Sequence, residues 1–218
     1  MRHIEQTLGA GLVALALFSC AESDSNSETS HADAGSKVDS ARTDADGGES
    51  VGRFVGEVED SDVRVAIVAD DKRARLFFCG GEASVAEKTH WFNLSKDADE
   101  LEVEEGKFAL RARFDGDAVS GEYAVGDERR AFSSKRVDKA TLAGLYEGTG
   151  ECGRLGLIVS QSAPKAEIEA QGACVGMGHT PEQVNPILPI SAEDGKIRVK
   201  APGRDDSLLL GAAGLSPL

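Results

Sequence analysis

From Val51 onward, apolar side chains return at every second position in short runs, and turn residues interrupt those runs about every ten residues. A period of two is what a half-buried β-strand demands, because successive side chains of an extended backbone point to opposite faces. Val63, Val65 and Ile67 alternate with Arg64, Ala66 and Val68. After Asp70-Asp71-Lys72, Ala74, Leu76 and Phe78 alternate with Arg75 and Phe77 as far as Cys79, and Gly80-Gly81 ends the run. The clearest element is Lys107–Phe114, with Phe108, Leu110, Ala112 and Phe114 on one face and Lys107, Arg111 and Arg113 on the other. Glu105-Gly106 and Asp115-Gly116 flank it, and both are good tight-turn dipeptides. Val119–Val125, a Gly126-Asp127 turn and Arg130–Ser134 follow, and Leu101–Glu104 is placed to pair ahead. Short turns and polar outer faces predict an antiparallel meander with one wet face.

Gly144–Glu147, Leu155–Ser160, Lys165–Ala170, Ile197–Lys200 and Ser207–Leu210 are further strand candidates. Helix is scarce. Ala83–Lys88 has room for a turn or two, and Thr180-Pro181-Glu182-Gln183 has capping-box form, which predicts a short helix ending before Asn185-Pro186. Pro186 and Pro189 make Val184–Ile190 unsuited to a central strand. The expectation is one all-β domain over 51–218, an antiparallel meander of roughly nine to eleven strands forming a β-barrel or a β-sandwich. The pattern does not decide between those two, and it shows no internal repeat.

The first fifty residues are of another kind. Leu8–Phe18 reads LGAGLVALALF, eleven apolar residues behind Arg2 and the free amine. A helix crossing a bilayer core of about 30 Å needs about 20 residues, so the run suits the core of a signal peptide instead. Leu17-Phe18-Ser19-Cys20 then resembles the lipobox of bacterial lipoproteins, with Phe18 where a smaller residue is usual. The resemblance covers the leader alone. It implies that Cys20 is lipidated and becomes the first residue of an exported chain, anchored in the bilayer. Ala21 follows, where lipoproteins kept in the inner membrane typically have Asp, so in a host with two membranes the resemblance favours the outer one. The rival is ordinary cleavage after Ala21, with Ser19 and Ala21 as the small residues of the site.

Residues 21–50 carry eight acids against Lys37 and Arg42 and no hydrophobe larger than one Val. Such a composition cannot offset the entropy of ordering, so it predicts a disordered acidic tether. A flexible chain of that length has a root-mean-square reach of roughly 30 Å. Asp44, Asp46 and Gly47 echo a calcium loop faintly but lack its third acid and distal Glu. The remaining 168 residues hold most of the net charge of −14, so the domain as a whole repels phosphate backbones and anionic headgroups, which disfavours nucleic acid as a partner.

Cys79, Cys152 and Cys174 remain for the domain. A hairpin of Leu155–Ser160 and Lys165–Ala170 around Gln161–Pro164, with Leu157 opposite Ile168, brings Cys152 opposite Ala173, so a bulge or a slip by one sets it against Cys174 and favours a bridge between them over one that involves Cys79. Cys79 then remains a buried small hydrophobe. Gly148-Thr149-Gly150-Glu151-Cys152-Gly153 spells G-x-G-x-x-G, but a strand follows where a dinucleotide site needs a helix N-terminus. Cys174 and His179, with His90 elsewhere, resemble the copper loop of cupredoxins, yet Met177 precedes His179 where that family places its Met after the His. Asp97, Asp99 and Glu100 could bind calcium only weakly. There is no G-x-S-x-G, S-x-x-K in a helical frame or H-E-x-x-H. No residue is singled out as catalytic, cofactor-binding or metal-ligating. The expectation is an envelope lipoprotein whose β-domain binds an unknown protein or small molecule, or is structural. The alternatives are a carrier of small apolar ligands inside a barrel and a cupredoxin-like copper protein.

Overall fold

The computed structural model describes residues 51–176, 178–201 and 205–215. They form fifteen strands and one turn of helix, so the chain is all-β. The leader, Cys20 and the acidic segment lie outside the described residues.

The first eight strands are β1 (Gly52–Val58), β2 (Arg64–Ala69), β3 (Arg73–Cys79), β4 (His90–Ser95), β5 (Glu100–Glu105), β6 (Phe108–Asp115), β7 (Ala118–Val125) and β8 (Glu128–Arg136), with α1 (Val85–Lys88) between β3 and β4. They make one antiparallel sheet in the order β4-β3-β2-β1-β8-β7-β6-β5. The sheet curls on itself, helped by Gly56 and Gly121, where a Cβ would run into the Ser133 and Arg111 carbonyls. No backbone ladder joins β4 to β5. Side chains bridge that seam instead: His90 Nε2 lies 2.8 Å from Glu105 Oε2, and the imidazole stacks 4.1 Å from the Phe108 ring.

The inward face is the alternating set read from the sequence. Val63, Val65, Ile67, Leu76, Phe78, Leu110, Val119 and Phe132 are buried together, with Phe108 and Phe114 packed against them. Phe78 stacks on Tyr123 at 4.0 Å and meets Phe92 and Phe132 edge-on. The Tyr123 hydroxyl donates to Lys88 O at 2.9 Å, and burial pushes its pKa up. The outer face of β5–β8 is wet and lined by opposed charges, such as Glu102 with Arg111 at 2.6 Å and Arg129 with Glu122 at 2.9 Å. Exposed pairs of this kind add little stability but keep the face soluble.

The second set is β9 (Gly144–Gly150), β10 (Gly153–Ser160), β11 (Glu169–Val175), β12 (Glu182–Pro186), β13 (Ala192–Glu193), β14 (Lys196–Lys200) and β15 (Ser207–Ala212). The β12–β14 and β15–β9 pairings close six of them, all but β13, into a small barrel. Leu155, Leu157, Val159, Val184, Ile197, Val199 and Leu210 fill its interior.

Three readings need correction. The predicted helix after Thr180 is strand β12, which lies between β11 and β14. Gln183 pairs with Ala173 and Val184 with Gly172, so ladder bonds and burial of Val184 outweigh a local capping preference. Pro186 is tolerated because it is the last residue of the strand. Lys165–Ala170 is mostly loop, and the second hairpin strand is Glu169–Val175, with Leu157 opposite Gly172 rather than Ile168. The loop is longer because Gln161 organises it, accepting from Leu142 N at 2.8 Å and donating to Ala166 O at 3.3 Å. The strand count exceeds nine to eleven because β1, β4, β12 and β13 carry too little alternation to stand out.

Candidate functional site

The two sheets meet through a third apolar cluster. Ala66, Val68, Phe77 and Cys79 on the outer face of β2–β3, with Trp91 of β4, pack against Leu145, Ile158, Ala173 and Ala213. This explains why β2 and β3 are buried on both faces, although a meander strand needs only one. Cys79 sits in this seam, fully buried, and desolvation pushes its thiol up to about 12.

A charged cluster borders the seam. Arg75 donates to Asn93 Oδ1 at 3.1 Å, Glu147 Oε1 at 2.6 Å and Gly214 O at 2.7 Å. Arg154 reaches the other Glu147 oxygen at 2.7 Å and lies 3.6 Å over the Trp91 ring, whose plane stacks on Phe77. Burial pushes the Arg75 pKa down, and the facing Glu147 carboxylate opposes that shift. Among the described residues, Trp91 Nε1 is the one buried side-chain nitrogen or oxygen without a hydrogen-bond partner. Two guanidiniums, one from each sheet, share the single Glu147 carboxylate, so the cluster clamps the two sheets.

Where the sheets diverge, a cleft of about 620 Å³ opens. Its floor is the outward face of β1 and β8, including Val55, Glu57, Ser133 and Lys135. Val137, Asp138 and Ala143 form one side, and the tip of the β10–β11 hairpin, with Ser160, Gln161 and Ser162, forms the other. Arg64 Nη2 meets Glu169 Oε2 at 2.5 Å and ties that hairpin to β2. Arg136 is held by Asp117 at 2.7 Å and by the Phe54 ring. Arg64, Lys135 and Arg136 balance Glu57, Asp138 and Glu169 around the cleft. Serine hydroxyls and balanced charges, without an aromatic side chain, suit a polar ligand that both donates and accepts hydrogen bonds, while the Gln161 amide is engaged within its own loop.

No family model and no curated protein matches this chain. The reading of the cleft therefore rests on its own chemistry.

The predicted site residues fall as follows. Cys152 and Cys174 are joined, with S–S 2.08 Å and Cα–Cα 6.0 Å, although the hairpin register differs from the expected one. By the chain-entropy account, closing a loop of that length contributes about 3 kcal/mol. With its sulfur in that bond, Cys174 is no thiolate for copper. The G-x-G-x-x-G run forms the end of β9, a turn and the start of β10. Asp99 is paired with Lys96 at 3.0 Å, and among the described residues no group of three or more His, Cys, Asp or Glu gathers to hold a metal. The cleft itself gave no signal in sequence, since scattered serines and one Gln are ordinary surface residues. The Arg75–Glu147 pair had one: an arginine in a run of otherwise buried strand residues needs a buried partner.

Proposed function

We propose that the chain is an exported lipoprotein, anchored to the cell envelope through acylated Cys20, whose β-domain binds a polar partner in the cleft between its two sheets. The observation that carries the binding part is the cleft itself: about 620 Å³, lined by hydroxyl, amide and charged groups. Support for the address comes from the lipobox-like Leu17–Cys20 run and from the Cys152–Cys174 bridge, since disulfides persist in oxidising compartments. With Ala21 after the lipid site, the outer membrane is favoured in a host that has two. The binding reading is preferred over a carrier of apolar ligands because Phe78, Leu110 and Phe132 occupy the interior of the first sheet and Leu155, Leu157 and Leu210 that of the second. No helix of the described residues is long and apolar enough to cross a membrane.

Intact-mass measurement on membrane-extracted protein tests the address. The expected mass lacks the leader, carries added acyl chains and is short of two hydrogens for the bridge. A mature chain beginning at Glu22 overturns the lipidation. For the cleft, a photoreactive residue at Ser133 is expected to trap one discrete adduct in intact cells, whereas the same residue at Arg113, on the wet outer face, traps none. Equal labelling at both positions, or none at either, removes the cleft as a binding site.

A further inference from the structure

We propose that the outer face of β12, β14 and β15 is a contact surface for an anionic lipid bilayer. Four large hydrophobic residues are exposed among those described: Val51, Ile187 at 37%, Leu188 at 77% and Leu209 at 49%. Three of the four lie together. Ile187 N donates to Arg198 O at 3.1 Å, continuing the β12–β14 ladder, and Arg198 pairs with Leu209 across β14–β15. Opposed residues of antiparallel strands project to the same face, so Ile187, Arg198 and Leu209 form one row across the outside of the small barrel. Leu188 stands next to the end of that row.

The same face carries cations. Along β14, Ile197 and Val199 point into the barrel, which leaves Lys196, Arg198 and Lys200 outside, spaced about 6.8 Å apart. Arg198 is tied to Glu193 at 3.4 Å and Ser207 at 3.2 Å. No ion pair among the described residues engages Lys196 or Lys200. The acids nearby, Glu193 and Asp194 at one turn and Asp205 and Asp206 beyond the other end, lie at the margins of the row in sequence. On a domain that is acidic overall, cations interleaved with exposed leucines match one surface in particular. Lipid phosphates take the ammonium groups while the headgroup–acyl boundary takes the apolar side chains. The inference rests on the anchoring reading in one respect: an anchor at Cys20 keeps this face within reach of a bilayer.

The test uses the full chain with Cys20→Ala and Leu188→Cys, labelled at 188 with an environment-sensitive dye; Cys79 is buried and the other cysteines are bridged. Asp117→Cys, in the β6–β7 turn, is the reference site. On vesicles of phosphatidylcholine with one part in three phosphatidylglycerol, the dye at 188 is expected to shift to the blue and resist an aqueous quencher, while the dye at 117 does neither. Replacing Lys196 and Lys200 with serine is expected to weaken the response roughly thirtyfold, and Leu209→Ser is expected to reduce it as well. All these side chains are exposed, so the fold is not at stake. A dye at 188 that stays in water on those vesicles overturns the proposal, as does protection that appears only when envelope protein is added. The two readings fail separately: acyl mass on the native chain with a wet dye sinks the contact surface alone, and a shifted dye without acyl mass sinks the anchor alone.

Discussion

Valine in place of Gly156 is expected to destabilise the protein by about 3 kcal/mol and to split its unfolding into two steps. Gly156 lies mid-strand in β10, opposite Glu147 on β9 and Ala173 on β11. Its outward side faces the first sheet, where a Cβ would sit 2.6 Å from both Phe77 Cε1 and Trp91 Cζ2. Neither ring has room to give way. Phe77 is fully buried, and Trp91 is held between Phe77 on one face and the Arg154 guanidinium on the other. The smaller entropy of an unfolded valine offsets less than about 1 kcal/mol. Strain at this point acts on the junction and leaves the two separate interiors intact. Denaturant melts followed by near-ultraviolet dichroism, which reports Trp91, and by far-ultraviolet dichroism, which reports the strands, are therefore expected to separate. Coincident transitions at the wild-type midpoint would show that the junction is not the close-packed contact described above.

The position also shows what a sequence reader can and cannot see. Phe108–Asp115 was legible because polar and apolar residues alternate there and Gly106 and Gly116 bound it. The strand has one wet face, so its pattern is complete in itself. β2 and β3 were legible as strands, but the meaning of Ala66, Val68, Phe77 and Cys79 on their second face was not. That face is buried by a sheet built from residues some eighty positions later, which no local period announces. β12 was lost to a true local signal, the Thr180-Pro181-Glu182-Gln183 capping pattern, which a ladder with β11 overrode. The disulfide was legible for a coarser reason than register. A hairpin brings its open ends together across several residues, so Cys152 and Cys174 meet even though the loop is four residues longer than expected. The cleft was illegible, because a site made of backbone, serines and paired charges at the margin of two sheets has no spacing of its own.

The clamp beside the seam carries the second large effect. Glu147→Ala is expected to cost about 2–3 kcal/mol, toward the lower end for breaking a buried pair because the Glu147 carboxylate keeps some contact with water. The loss comes from what is left behind. Arg75 is nearly buried, and without Glu147 it retains only two neutral acceptors, Asn93 Oδ1 and Gly214 O. Arg154 loses the same partner while it remains stacked on Trp91. The effect extends to the end of the chain, since Gly214 O is an Arg75 acceptor and Ala213 N donates to Leu145 O at 2.8 Å, two residues from Glu147. Amide exchange at 213 and 145 is thus expected to quicken with the substitution. Because the pair is shielded from bulk ions, the loss should change little between low and high salt, unlike the exposed pairs of β5–β8. Arg75→Met with Glu147→Leu removes that pair and fills similar volume, so it is expected to recover the part of the loss that comes from the stranded Arg75, while Arg154, still without Glu147, keeps the remainder. A double variant no more stable than the single one would mean that the arginine contributes through its bonds to Asn93 and Gly214 rather than through its charge.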